Sequence, residues 1–239
     1  MKHLFILLLC LTTSLITSAQ YEGEAKFGLI GGVNLVFTEG DDWEDYIDDI
    51  EDNVEYYNSG DFDLKTKIGM HLGMSLDYFL KDNLAINSGL IYSQKGFTIK
   101  TEMESYDYDY YNPSYTNIET TLDMTFNYID MPIALKYISD DGFQIYGGFL
   151  FSFLMSDNAD MDVDGTGYDY DSDYDDFEDL YGRDAEDSTT GMFVGVGFDL
   201  NEKMNLSLKV QKTGSFGKIN GYGDENNNLT VQISTGIAF

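Results

Sequence analysis

Lys67-Ile68-Gly69-Met70-His71-Leu72-Gly73-Met74-Ser75-Leu76-Asp77-Tyr78 alternates without a break. Ile68, Met70, Leu72, Met74, Leu76 and Tyr78 share one parity, and Lys67, Gly69, His71, Gly73, Ser75 and Asp77 hold the other. Successive side chains of a β-strand point to opposite faces, so a period of two predicts a strand with one large apolar face. The other face is small or polar. Working outward, the same scheme recurs at 25–37, 84–97, 143–155, 190–200, 204–213 and 228–239. In 143–155, for example, Phe143, Ile145, Phe149, Phe151 and Phe153 oppose Gln144, Tyr146, Gly148 and Ser152.

Segment 122–139 is less regular. Met124, Phe126 and Tyr128 lie on one parity, whereas Ile129, Met131, Ile133, Leu135 and Tyr137 lie on the other. A bulge near Tyr128 would restore a single apolar face. Pro132 has no N–H to give to a ladder, so the strand is expected to be weakened or bulged there. With this segment the chain offers about eight strands, and the pattern alone leaves eight and ten both open.

The connections alternate as the residues do. Lys81-Asp82-Asn83, Asp140-Asp141-Gly142 and Asn201-Glu202-Lys203 read as tight polar turns, whereas 38–64, 100–121, 156–189 and 214–227 read as long loops. Short turns at one end and long loops at the other is the plan of an outer-membrane barrel. The long loops hold 12, 5, 14 and 2 of the 43 acidic residues, so negative charge is gathered at one end. Aromatic residues gather beside the short turns: Tyr78, Phe79, Tyr137, Phe143, Phe198 and Phe239. That placement fits an interfacial girdle.

A soluble sandwich also alternates, but its outer face would be rich in Lys, Glu and Thr. Here the second face is mostly Gly, Ser, Asn and Ala, which suits the crowded interior of a narrow barrel. The expected fold is therefore all-β: an antiparallel, up-and-down transmembrane β-barrel of about eight strands with long acidic loops. Residues 1–19 read as an export signal, with Lys2 and His3 before an apolar run and Thr17-Ser18-Ala19 at the cleavage site. The barrel domain would then be 20–239, in the bacterial outer membrane, with periplasmic termini and extracellular long loops. Cys10, the single cysteine, follows Leu9 rather than the small residue that lipidation favours. A formal net charge of −30 excludes nucleic acid as a partner.

At this point the chain resembles the PorT-like outer-membrane β-barrel proteins of the Bacteroidetes. Lys26-Phe27-Gly28-Leu29-Ile30-Gly31-Gly32-Val33-Asn34-Leu35 is similar to that family's first strand, and Tyr128-Ile129-Asp130-Met131-Pro132-Ile133-Ala134-Leu135-Lys136-Tyr137 to its proline-bearing strand. Phe239 after alternating apolar residues resembles the signal read by the barrel-assembly machinery. The resemblance implies a barrel in the outer membrane. It also implies, for the family's namesake, a part in exporting proteases, so an accessory role in a secretion system is the alternative function.

Three constellations could carry chemistry. Asp160, Asp162 and Asp164, with Gly165 next and Asp171 at position 12, have the oxygen-ligand spacing of a calcium loop, in which Thr166 would contribute its carbonyl. Gly167 and the short Asp171 predict weak affinity, and a solvated acidic loop gives the same composition. Tyrosine and acid alternate at 106–111 and 168–174, a composition suited to binding a basic protein or a glycan. Lys67, His71, Asp77, Lys95, Asp130, Lys136, Asp199 and Lys209 are placed on the interior parity, where mixed charges satisfy one another. His71 would be the pivot of any lipid-modifying activity, yet it lies mid-strand on that interior parity and no serine motif accompanies it. The expected function is thus a non-enzymatic, monomeric surface barrel without a cofactor other than weakly held calcium. Its contacts would be outer-membrane lipid, the assembly machinery during biogenesis, and an extracellular protein or glycan.

Overall fold

The computed structural model describes residues 22–39, 60–107, 114–165, 168–174, 186–214 and 227–239. The export signal, Thr166 and most of 38–64 and 214–227 lie outside the described residues. The strands are β1 (Ala25–Glu39), β2 (Gly60–Lys65), β3 (Lys67–Lys81), β4 (Leu84–Asp107), β5 (Ser114–Ile138), β6 (Phe143–Gly165), β7 (Tyr168–Tyr174), β8 (Ser188–Asp199), β9 (Met204–Gly214) and β10 (Asn227–Ala238). All pairings are antiparallel. Going round from β4, the order β4-β3-β1-β10-β9-β8-β6-β5 returns to β4, so eight strands close a barrel. Closure removes the sheet edges that a lipid environment cannot satisfy. β2 continues the line of β3 on the same partner strand, and β7 lies on β6 beyond the point where β8 leaves it.

The turns follow from their residues. Gly142 takes φ 82°, which an L side chain rarely adopts. Its carbonyl accepts from Asp199 N at 2.9 Å, tying two neighbouring turns together. Asn201 Oδ1 accepts from the backbone N–H groups of Lys203 and Met204, each at 2.9 Å, which is how asparagine nucleates a tight turn. Tyr78, Tyr137, Phe143, Phe198 and Phe239 are exposed beside these turns, as a girdle requires. Phe79 departs from that expectation. It is 1 % exposed and packs inside on Ala85 and Ile138, because its parity is that of Asp77 and not of Tyr78.

The apolar belt is the outward face: Ile68, Met70, Leu72 and Met74 on β3, Ile133 and Leu135 on β5, Phe149 and Phe151 on β6, Val194 on β8 and Leu208 on β9 are all exposed. A tilted strand needs about 9–11 residues to cross the hydrocarbon. β8, β9 and β10, with 12, 11 and 12 residues, end close to that length, whereas β4, β5 and β6 have 24, 25 and 23. One side of the barrel therefore rises well past the belt. Segments 100–107 and 114–121, expected within a loop, continue β4 and β5 as paired strands, and 156–165 continues β6. Asp160, Asp162 and Asp164 alternate with Met161 and Val163, which is itself a strand period, and the rest of the tyrosine and acid alternation at 106–111 lies outside the described residues beyond Asp107.

Pro132 leaves a gap in the β4–β5 ladder, which passes from Ser88↔Ile133 to Ile91↔Asp130 without a change of register. The bulge near Tyr128 is found, but its extra residue is Met155 of β6, since Asn127↔Ser156 is followed by Tyr128↔Leu154. β5 keeps one parity throughout. Met124, Phe126 and Tyr128 consequently point into the barrel, each 0 % exposed, instead of joining the outer belt.

Candidate functional site

The lumen has two halves. Toward the long connections, Met124, Phe126 and Tyr128 pack with Val36, Phe97, Ile99, Leu122 and Ala159 into an apolar plug. The rings of Phe97 and Phe126 lie 6.2 Å apart between centroids. Each fully buried side chain of this size contributes about 1.5–3 kcal/mol. Toward the short turns the interior is polar and encloses a cavity, lined by Asp77, Lys136, Gln144, Asp199, Lys209 and Gln232 among others.

The charged groups between these halves are paired across strands. Lys95 Nζ donates to Asp130 Oδ1 at 2.8 Å with both side chains almost wholly buried, and Ser152 Oγ donates to the same oxygen at 2.5 Å. Lys95 Nζ also sits 5.0 Å from the centroid of the Tyr128 ring, directly beneath the plug. Lys136 Nζ donates to Asp77 Oδ2 at 2.8 Å and Asn87 Nδ2 to Asp77 Oδ1 at 2.6 Å. Gln144 Nε2 donates to Asp199 Oδ1 at 2.5 Å. Tyr146 fills space left by a glycine, since a Cβ on Gly195 would fall 2.4 Å from its ring. Large opposite small is the packing a narrow barrel needs.

His71 is held at both nitrogens. Nδ1 lies 2.7 Å from Asn34 Oδ1 and Nε2 lies 2.8 Å from Ser234 Oγ. Asn34 Nδ2 donates to Gln94 O at 2.9 Å, which leaves Asn34 Oδ1 to accept from His71 Nδ1 and makes Nε2 the acceptor for the serine. These are the distances of a hydrolytic relay, and Ser234 had no sequence motif to reveal it. Ring and hydroxyl are nevertheless enclosed by the wall, at 2 % and 3 % exposure, while the lipid-facing side of the same strand is Met70 and Leu72. A membrane lipid meets the second set and not the first.

Seven of the eight residues expected inside are there. Lys67 is the exception: it donates to Asp123 at 2.5 Å and to Thr125 at 2.9 Å, which alternate with the buried Met124 and Phe126 and so belong to the opposite face. The line of β3 gains one residue against β4 between Lys65↔Thr98 and His71↔Ser93, and that slip turns Lys67 outward.

Above the belt the outer face is charged. Asp123, Glu119 and Glu102 follow one another along β5 and β4, and Lys100 donates to Glu119, whose carboxylate raises the lysine pKa above its usual value. Asp160, Asp162 and Asp164 are exposed and alternate along β6 beyond the bulge, with Asp162↔Asp171 in register on β7. Three of the expected calcium ligands thus lie along one strand and Asp171 lies on its neighbour, while Thr166 is outside the described residues. Among the described residues no three acidic, histidine or cysteine side chains converge as metal ligands do.

An apolar outer belt, a closed ring of antiparallel strands and a polar interior beneath it describe a barrel that crosses a membrane with strands. Residues 18–220 match the outer membrane protein beta-barrel domain. The chain belongs to that family. This outer-membrane barrel is similar in fold to the neisserial surface protein NspA, with 11% identity, coverage of 90% of this chain and 99% of that one, and a TM-score of 0.47. Ail, the attachment invasion locus protein of Yersinia pestis, matches at 11% identity over 91% of this chain and 99% of that one, with a TM-score of 0.37. OprG of Pseudomonas aeruginosa gives 13% identity, 92% and 98% coverage, and 0.34. No curated protein matches the sequence.

Proposed function

We propose that this outer-membrane barrel is a closed, non-catalytic protein that displays its acidic extension outside the cell, where it serves in adhesion or in contact with a basic protein or a glycan. The observation that carries the reading is the excess length of β4, β5 and β6, whose outer faces turn from apolar to polar past Tyr92, Ile129 and Met155, with Glu102, Asp123, Glu119, Asp160, Asp162 and Asp164 among them. Strands built beyond the belt cost chain ordering that spanning does not require. Extracellular display of this end, with periplasmic termini, follows from the usual placement of long connections. Weak calcium bridging at Asp160, Asp162, Asp164, Thr166 and Asp171 is part of the proposal, with the hairpin as scaffold. The proline-bearing strand Tyr128 to Tyr137 supports affiliation with the PorT-like branch.

Surface cross-linking on intact cells, with and without calcium chelation, tests the reading. Recovery of an extracellular partner through the extension, weakened by chelation, is the expected result. Cross-linking confined to the short turns near Asp82, Asp141 or Glu202 would reverse the orientation and overturn it.

A further inference from the structure

The ionisable groups facing the lumen find partners inside the protein, with one exception. Asp77, Asp199, Lys95, Lys136 and His71 are each engaged by the hydrogen bonds described above, and Asp130 is engaged through Oδ1 while its Oδ2 has no hydrogen-bond partner. Lys209 on β9 is only 7 % exposed, yet no carboxylate of the described residues forms an ion pair with it, and its Nζ lies 5.1 Å from the centroid of the Phe193 ring. A buried ammonium with a ring face beside it, and the Asp130 carboxylate acting on it only from beyond ion-pair distance, is incompletely compensated.

Beside Lys209 one buried donor is unused. The register partner of Lys209 on β10 is Gln232, 1 % exposed, whose Nε2 has no hydrogen-bond partner. Both side chains line the cavity in the polar half of the lumen, beside Ser207 and Ser234. The two carboxylates lining the same cavity, Asp77 and Asp199, already accept from Lys136, Asn87 and Gln144. The cavity is about 70 Å³, the room of a few water molecules, so a lipid or a sugar does not fit. We infer that it is a binding site for one small anion, a halide or a short carboxylate, held between Lys209 Nζ and Gln232 Nε2. The apolar plug closes the other half of the lumen, so the anion enters from the short-turn end, past Lys26 and Asn205.

The test uses the full barrel refolded in detergent. Its thermal unfolding is followed while chloride or formate replaces a bulky organic sulfonate at constant ionic strength. The wild-type midpoint should rise saturably with either small anion. In Lys209→Gln the apparent affinity should fall about tenfold to a hundredfold, the worth of one charge-assisted hydrogen bond. Lys26→Gln, at the mouth, should retain the rise. The same anion dependence in wild type and Lys209→Gln would show a surface salt effect and overturn the site. Crystals of the wild-type barrel grown in bromide decide the question without any variant: an anomalous peak between Lys209 and Gln232 supports the inference, and its absence there with bromide bound elsewhere refutes it.

Discussion

Along β5 the two faces of the wall exchange roles. From Ile138 back to Asp130 the outward side chains are Tyr137, Leu135, Ile133 and Met131, and the inward ones include Lys136 and Asp130. From Tyr128 back to Leu122 the inward side chains are all apolar, and the outward ones are Asn127, Thr125, Asp123 and Thr121. The strand does not twist over to achieve this; its parity is constant and the surroundings change. In the belt the solvent outside is lipid and the interior must be polar enough to pair its own charges. Beyond the belt the solvent outside is water, so the hydrophobic surface moves inward and caps the lumen.

The pair at the junction should show the largest effect. Asp130→Leu leaves Lys95 buried beneath the plug without a counter-charge, and the expected loss is about 3–5 kcal/mol in urea unfolding of the refolded barrel. Lys95→Met combined with Asp130→Leu should restore most of it, because the apolar plug then continues one layer downward. A loss under about 1 kcal/mol for Asp130→Leu would mean that water reaches this level and that the plug does not seal the polar half.

A smaller effect should separate the two faces on one strand. Ile133→Lys places a charge in the centre of the belt and should cost about 2–4 kcal/mol. Thr121→Lys, twelve residues back on the same outward parity, should stay within about 0.5 kcal/mol. Equal costs at the two positions would place both in the same solvent and remove the distinction.

This exchange also marks where the sequence could be read and where it could not. The barrel, its closure and its short turns were legible because β3 alternates cleanly for its whole length and because Gly142 and Asn201 are turn residues with a mechanism. The pairing of Lys95 with Asp130 and of Lys136 with Asp77 was foreshadowed by parity alone. The interior of 122–128 was misread for a physical reason: apolar alternation signals a buried or lipid-facing side without saying which, and the bulge that adjusts the wall belongs to Met155 on the neighbouring strand. Lys67 was misplaced by a one-residue slip that only the pairing with β4 reveals. The extensions of β4, β5 and β6 read as loops in the sequence because acid-rich composition is common to solvated loops and to strands that stand in water. Asn34 and Ser234 around His71, and the unpaired position of Lys209, depend on which strands become neighbours, and β1, β3, β9 and β10 come from opposite ends of the chain.

The central claim is that the outer face of one strand passes from lipid to water at the level of Tyr128. Cys10 is the only cysteine of the chain and lies in the segment read as a signal, so single cysteines carry a spin label without ambiguity. Labels at Leu135, Ile133, Met131, Asn127, Thr125 and Thr121 of the barrel in lipid bilayers would be probed with oxygen, which concentrates in hydrocarbon, and with a water-soluble nickel chelate. Oxygen should dominate relaxation from Leu135 to Met131 and the chelate from Asn127 to Thr121, with the crossover between Met131 and Asn127. Oxygen dominance continuing to Thr121, or chelate dominance already at Ile133, would contradict the account.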